Sequence, residues 1–220
     1  MNDFREVASS RRYFPFAKRI FDLAASSLGI VLSGPIFGIC ALAIKLDSPG
    51  PVFYLQTRVG RHGHPFTIIK FRSMVICSGR QVLNITAMGD PRVTRVGRWL
   101  RATKLDELPQ LLNVFRGDMS LAGPRPEVPE YVAGYSSTQK RILDYKPGIT
   151  GPASVGYVQE GELLAGKTDP DQFYREYILP RKLELDLAYC ASATLTKDMR
   201  LLVLTICKVW LPTKKSVSSV

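Results

Sequence analysis

Cysteine is scarce in this 220-residue chain, and none of the four (Cys40, Cys77, Cys190, Cys207) forms a C-x-x-C pair. That excludes a disulfide framework and a thiolate zinc site, and leaves reduced cytosolic thiols as the expectation. His62 and His64 flank Gly63 in a turn-like stretch, too few for a metal centre. Acidic residues are the minority charge, 19 against 30 Lys and Arg, for a net charge of +11. The excess fits an anionic partner: lipid headgroups, a phosphorylated substrate or nucleic acid. There is no long Lys/Arg block and no nucleic-acid-binding signature, so a nucleic-acid partner is not expected. Internal repeats and low-complexity linkers are absent too, and the length suits one domain with an appendage.

Charge is missing altogether from Leu23 to Ile44, about the length of a membrane-crossing helix. The run is longer than a signal-peptide core, and no clear small-residue cleavage site follows it. At its centre stands Ser33-Gly34-Pro35. Proline removes an N–H and crowds the carbonyl of Val31, and glycine weakens the helix further. Two half-helices are predicted, each about eleven residues and roughly 16 Å long. Arg11, Arg12, Lys18 and Arg19 precede the run, and Lys45, Arg58, Arg61, Lys70 and Arg72 follow it. Positive flanks prefer the cytoplasm. A helix that enters, bends and returns satisfies both flanks, whereas a straight span satisfies one.

The remainder reads as α+β. Val52–Val59 and Phe66–Phe71 form a predicted β-hairpin across Gly60–Pro65. Residues 73–88 are weakly patterned. Thr94–Ala102 is a predicted helix with Val96, Trp99 and Leu100 on its buried side. Further helices are expected within Glu127–Tyr145 and over Asp169–Tyr189, the latter interrupted near Pro180. Lys146–Pro152 is a rigid turn. Met199–Trp210 is apolar with basic punctuation. With Trp210, Lys214 and Lys215 it suits a membrane interface, and it reads equally well as an amphipathic helix packed on the domain.

The stretch Leu105-Asp106-Glu107-Leu108-Pro109-Gln110 places two carboxylates at a predicted helix start, with Asp106 as its cap, Pro109 in the first turn and Gly117 as the stop. The positive end of a helix favours ionised carboxylates. Two adjacent ones need cations, which a divalent metal and a basic shell would supply. Lys70, Arg72, Arg101 and Arg125 are the candidate residues for binding substrate phosphate and nucleotide. Arg101 lies just before the pair, and Arg125 is held between Pro124 and Pro126. The plain alternative makes the pair a helix cap and the cations surface partners. The chain is then a non-catalytic, membrane-anchored basic module that binds anionic lipid or a glycan-assembly partner.

These pieces, in this order, resemble the bacterial sugar transferases, specifically the small monotopic polyprenyl-phosphate phosphoglycosyltransferases. The matching residues include Lys18-Arg19-Ile20-Phe21-Asp22, the broken apolar run and Lys45–Val52. Lys70-Phe71-Arg72-Ser73-Met74, Asp90–Thr94, Leu105–Gln110, Gly117–Pro126 and Pro147–Gly151 continue the match. Three departures are Gly34 between the serine and proline of the break, Pro152 after the Gly-Ile-Thr-Gly turn, and the lack of an aromatic near Ala191–Ala193. The resemblance implies transfer of a sugar phosphate from a UDP-sugar to undecaprenyl phosphate with release of UMP. It implies that Asp106 forms a covalent phosphosugar intermediate and that Glu107 holds Mg²⁺. It also implies a place at the bacterial inner membrane, with the site facing the cytoplasm, at the first membrane step of glycan assembly. The expected organisation is a re-entrant membrane helix over 14–46, a catalytic domain over 47–212, and flexible basic tails at 1–13 and 213–220. A homodimer is compatible with this reading.

Overall fold

One helix, α1 (Pro15–Asp47), carries the apolar run. The computed structural model describes residues 15–75 and 85–210. The two basic tails, Cys77, Lys214, Lys215 and the Trp210 side chain lie outside the described residues. The predicted interruption at Ser33–Pro35 is absent from the secondary structure, because α1 runs through Pro35 for 33 residues. Proline costs a helix one hydrogen bond and a steric clash, which long helices absorb as a local distortion. The Ser33 hydroxyl donates to the Gly29 carbonyl at 2.5 Å, one turn back. The helix is long and apolar enough to cross a membrane, with a mean hydropathy of 2.1 in its best window.

Both ends of α1 are fastened to the same globular body, and its middle packs by one face only, where Ser26 and Ser33 are buried and Gly29 lies against Leu111. Near its start, Phe21 and Ala25 pack on a core of Ile68, Val114, Met119 and Leu121. Near its end, Phe37, Cys40 and Ile44 pack with Phe71 and Leu100. On its other side Leu28, Val31, Leu32 and Ile39 are 60 to 74% exposed. Polar ties reinforce the ends. The Lys18 ammonium donates to the Ala122 carbonyl at 3.0 Å and pairs with buried Asp198. Asp22 accepts the Leu121 N–H at 3.1 Å. Asp47 accepts the Val96 N–H at 3.0 Å.

The hairpin forms as predicted. Strand β1 (Phe53–Val59) pairs antiparallel with β2 (Pro65–Phe71), and Phe53 stands opposite Phe71. Helix α2 (Arg95–Ala102) follows, capped by the Thr94 side chain on the Gly97 N–H. Two of the three residues predicted for its buried side pack inward, Leu100 fully and Val96 in part, but Trp99 is 51% exposed. Gly97 faces inward instead, where a Cβ would sit 1.9 Å from the Ser73 carbonyl oxygen. Backbone contact at a glycine takes the place that the heptad-like count gave to tryptophan.

Helix α3 (Gln110–Arg116) ends at Gly117, whose φ of +99° is the left-handed conformation glycine allows. Arg19 of α1 donates to its final carbonyls, Val114 at 2.7 Å and Phe115 at 2.8 Å, where a cation meets the negative end of the helix dipole. Strand β3 (Ser120–Ala122) then pairs parallel with β4 (Gly148–Thr150). The single helix expected within Glu127–Tyr145 is three short turns, Pro129–Val132, Ser137–Lys140 and Arg141–Asp144. A capping box between Ser136 and Gln139 starts the second of them afresh. After α4 (Pro152–Gly156), a π-helical turn at Tyr174–Ile178 leads directly into α5 (Leu179–Ala191). Pro180 occupies the first turn of α5, where its missing N–H is harmless. Helix α6 (Leu195–Trp210) packs on the body through Leu202 and a 2.5 Å hydrogen bond between the hydroxyls of Thr205 and Thr150. Its opposite side leaves Met199, Val203 and Ile206 exposed. The packed reading of this segment and its apolar outer face therefore coexist.

Candidate active site

The acidic pair lies in a single 3-10 turn, Leu105–Glu107, one step before α3. Lys104 enters that turn with φ +57°, an uncommon left-handed conformation for a non-glycine residue. The chain then stays helical through Leu108 and Pro109 into Gln110. Asp106 is not the helix cap that its position predicts, because the helix starts four residues later with Pro109 in the cap position. Its carboxylate is buried, and Oδ1 has no hydrogen-bond partner. An acceptor in that condition costs about 1–3 kcal/mol unless a ligand satisfies it.

Glu107 is engaged where Asp106 is not. Its Oε1 accepts from Lys70 Nζ of β2 at 2.9 Å and from Arg125 Nη2 at 2.7 Å. The fixed pairing separates the two carboxyls electrostatically. Burial, with the Glu107 charge adding to it, pushes the Asp106 carboxyl above the usual range, against the pull of Lys70, Lys104 and Arg101. The helix-end expectation of an eased ionisation is thus reversed by desolvation. Burial also opposes the charge on Glu107, but Arg125 and Lys70 outweigh it and hold this carboxyl well below the ordinary value.

The four predicted cations divide. Lys70 and Arg125 meet at Glu107. The Arg101 guanidinium, in the last turn of α2, makes no hydrogen bond or ion pair among the described residues, and its charge acts on both Asp106 and Asp90. Arg72 is not part of the cluster. It is 3% exposed and its guanidinium is spent on the carbonyls of Ser48 (2.7 Å) and Pro49, just past the end of α1. Strand alternation would put Lys70 and Arg72 on one face, but the strand ends at Phe71, so Arg72 lies outside it and turns to the Ser48 and Pro49 carbonyls instead.

Sequence reading missed Asp186. This buried residue of α5 accepts the Arg125 N–H at 3.2 Å and the Ala153 N–H at 2.9 Å, and so pins the loop that carries Arg125. No local pattern marks it, since its partners lie 61 and 33 positions away. Beside it the backbone crosses at van der Waals limits. A Cβ on Gly148 would stand 2.1 Å from the Gly123 amide nitrogen. Lys104 was missed as well, being recognisable only by its backbone conformation.

For a divalent cation, no cluster of three or more His, Cys, Asp or Glu exists among the described residues. Magnesium does not require one, because it is commonly held by one or two carboxylates together with substrate phosphates. The donor set fits that pattern. Asp106 Oδ1 is unpartnered, and Glu107 Oε2 has only a 3.5 Å contact to Arg125.

A family model described as Bacterial sugar transferase matches residues 13–212. The undecaprenyl-phosphate glucose phosphotransferase of Komagataeibacter xylinus is 42% identical over 196 residues, covering 86% of this chain and 35% of the relative. The UDP-glucose:undecaprenyl-phosphate glucose-1-phosphate transferase of Caulobacter vibrioides is 40% identical over 200 residues, covering 86% of this chain and 68% of the relative. An Aeromonas hydrophila UDP-N-acetylgalactosamine-undecaprenyl-phosphate N-acetylgalactosaminephosphotransferase is 41% identical over 169 residues, 73% of this chain and 39% of the relative. The chain thus spans from 35% to 68% of the length of these three relatives. With a match across nearly its whole length, the chain belongs to the bacterial sugar transferase family.

Proposed function

We propose that this protein is a phosphoglycosyltransferase that moves a sugar 1-phosphate from a UDP-sugar to undecaprenyl phosphate. The observation that carries the reading is the asymmetry of the pair: Glu107 is locked by two cations, while buried Asp106 keeps a free oxygen. A carboxylate nucleophile needs no base, and partial desolvation leaves it more reactive. Asp106 attacks the phosphorus that bears the sugar, forms an aspartyl O–P bond and breaks the bridging P–O bond, so that UMP departs. An oxygen of undecaprenyl phosphate then attacks the same phosphorus. The aspartyl bond breaks, the carboxylate is regenerated, and the product is the diphosphate-linked lipid sugar. Lys70 and Arg125 orient Glu107, and Arg101 is available to the donor phosphates. Glu107, with Asp106 beside it, would hold Mg²⁺, which when bound neutralises diphosphate charge.

Attachment of both ends of α1 to one body supports a re-entrant anchor. The helix is about 50 Å long, well beyond the roughly 30 Å hydrocarbon layer. In this reading only its exposed middle dips into the bacterial inner membrane. The site then faces the cytoplasm at the depth of the lipid phosphate, at the first membrane step of glycan assembly. The relatives' names differ in their sugar, so no sugar is assigned here.

The silent-module reading needs Asp106 to be occupied as a cap, and it is not. Incubation with UDP-sugars, undecaprenyl phosphate and Mg²⁺ tests the proposal. UMP release that disappears in Asp106→Asn supports it. Release of UDP, or no turnover with any common donor, rejects it. Donor alone should leave a phosphosugar mass on the wild-type protein.

A further inference from the structure

The β1–β2 hairpin presents two cations on one face. In its register Tyr54 stands opposite Lys70, and Arg58 stands opposite Phe66. Side chains at 66, 68 and 70 alternate onto the same side of β2, so Arg58 and Lys70 share that side, about 13 Å apart along the strands. Each meets a carboxylate from another part of the chain. Lys70 Nζ donates to Glu107 Oε1 at 2.9 Å. Arg58 Nη1 lies 3.5 Å from Glu127 Oε2 and donates to the Pro126 carbonyl at 3.2 Å. Arg125 is strung between the two carboxylates. Its guanidinium donates to Glu107, and its backbone lies two residues before Glu127.

Every residue from Arg125 to Glu127 is tied to β1 or α5. Asp186 accepts the Arg125 N–H, Arg58 donates to the Pro126 carbonyl, and the Val59 N–H donates to the Glu127 carbonyl at 3.0 Å. The Glu127 side chain adds a further tie. Its Oε1 accepts the Tyr174 hydroxyl at 2.7 Å, and that hydroxyl accepts from Lys182 Nζ at 3.0 Å. Lys182 and Asp186 are one turn apart on α5, so one helix face supplies an anchor to each end of the three-residue segment. Glu127, Tyr174 and Lys182 are all buried. A buried charged set adds little net stability over an apolar cluster of similar volume. What it adds here is a fixed starting point for the Arg125 side chain.

We propose that Glu127 is a positioning residue for the transfer: clamped between Arg58 of β1 and the Tyr174–Lys182 pair, it sets where the Arg125 guanidinium meets Glu107. The inference rests on the function proposed above. Glu127 touches no reacting atom and acts through Arg125. The hairpin thus works as a clamp with two grips, Lys70 on Glu107 directly and Arg58 on Glu127, which carries Arg125 back to Glu107. Releasing the second grip frees the segment that carries the guanidinium. A displacement of about 1 Å at a catalytic group costs about 100-fold in rate.

The test is a double-mutant cycle on rate in the full chain. Wild type, Glu127→Gln, Tyr174→Phe, Arg125→Met, each of the first two combined with Arg125→Met, and Asp106→Asn are compared. The readouts are single-turnover UMP release from a UDP-sugar, steady-state kcat and KM, and thermal unfolding, with rates taken well below the lowest melting temperature. Glu127→Gln keeps the side-chain shape and an oxygen for the Tyr174 hydroxyl, but removes the charge beside Arg58 and Lys182. Its kcat/KM should fall about 10- to 100-fold. Tyr174→Phe removes one bond and no charge, and should fall about three- to tenfold. Neither change should slow Arg125→Met by more than about twofold, because the group they position is already gone. A merely structural role predicts that the losses multiply in the Arg125→Met background and follow the melting temperature, and that result overturns the proposal. So does Arg125→Met at the wild-type rate, or Glu127→Gln within about threefold of wild type, while Asp106→Asn abolishes UMP release; the function proposed above then stands alone. If Glu127→Gln does not fold, the Tyr174→Phe cycle decides by the same criterion. UMP release that persists in Asp106→Asn removes both.

Discussion

Arg125 Nη2 donates to Glu107 Oε1 at 2.7 Å, on the same oxygen that accepts the Lys70 ammonium at 2.9 Å. Three segments that fold by different rules converge there: a strand, a 3-10 turn and a proline-flanked loop. The oxygen that takes both cations orients the whole carboxylate and turns the other toward a ligand. The arrangement makes Glu107 an organiser of positive charge as well as a prospective metal ligand.

Glu107→Gln and Arg125→Met should each lower stability, and their effects should not add. A double-mutant cycle read by urea unfolding is expected to give a coupling of about 1–3 kcal/mol, because the groups touch and are only partly shielded. Additive behaviour would mean that the pair is not formed in solution.

Arg72→Lys separates a structural cation from a substrate-binding one. The ammonium cannot reproduce the fork that holds the Ser48 and Pro49 carbonyls. Stability should drop by about 1.5–3 kcal/mol, while KM for the nucleotide sugar stays unchanged. A raised KM with normal stability would return Arg72 to the phosphate site.

Gly148→Ala has no room to be accommodated, with the Gly123 nitrogen 2.1 Å from the added carbon. The clash is backbone against backbone, so it costs at least the roughly 1–3 kcal/mol typical of overpacking. Arg125, two residues beyond Gly123, should move with it. Calorimetry should show a lower melting temperature, and UMP release should fall more than in a surface glycine variant such as Gly134→Ala, where an added Cβ meets only an ordinary 3.5 Å contact.

Asp186 gives a pH signature. Burial pushes its carboxyl up to about 6 from an ordinary 3.8, despite two backbone N–H donors. The folded protein thus holds this proton more tightly than the unfolded chain. Its contribution to stability is complete below the ordinary value and declines as pH rises through about 6. Asp186→Asn should remove that decline, so the wild-type-minus-variant melting temperature should decrease steadily from about pH 4 to about pH 7. A flat difference would refute the assignment.

Cysteines introduced at Phe16 and Leu46, both exposed at opposite ends of α1, should label from the same side of the membrane. Labelling from opposite sides would show a straight span.

The hairpin was legible because its strands alternate and are bounded by glycine and proline, and β1 and β2 fall within a residue of their predicted limits. Asp106, Glu107, Lys70 and Arg125 were legible as a charge set whose geometry only the fold supplies. Trp99 and Gly97 were misjudged because hydrophobic spacing is blind to backbone-on-backbone contact. The Ser33–Pro35 break was overestimated, since local propensity cannot weigh one lost bond against a 33-residue helix anchored at both ends. Asp186 was invisible for a related reason. A buried polar group announces itself by what surrounds it, and its neighbours come from distant parts of the chain.

Lys18 meets Asp198 across 180 positions of chain. The hydrophobic segment therefore leaves the ribosome long before the residue that secures its beginning has been made. Biogenesis has to hold that segment in lipid, or in a chaperone's care, until Asp198 has emerged. Chains stalled before α6 would hold the start of α1 through Arg19 and Asp22 but leave the Lys18 ammonium without its buried carboxylate, a looser attachment for proteases to recognise.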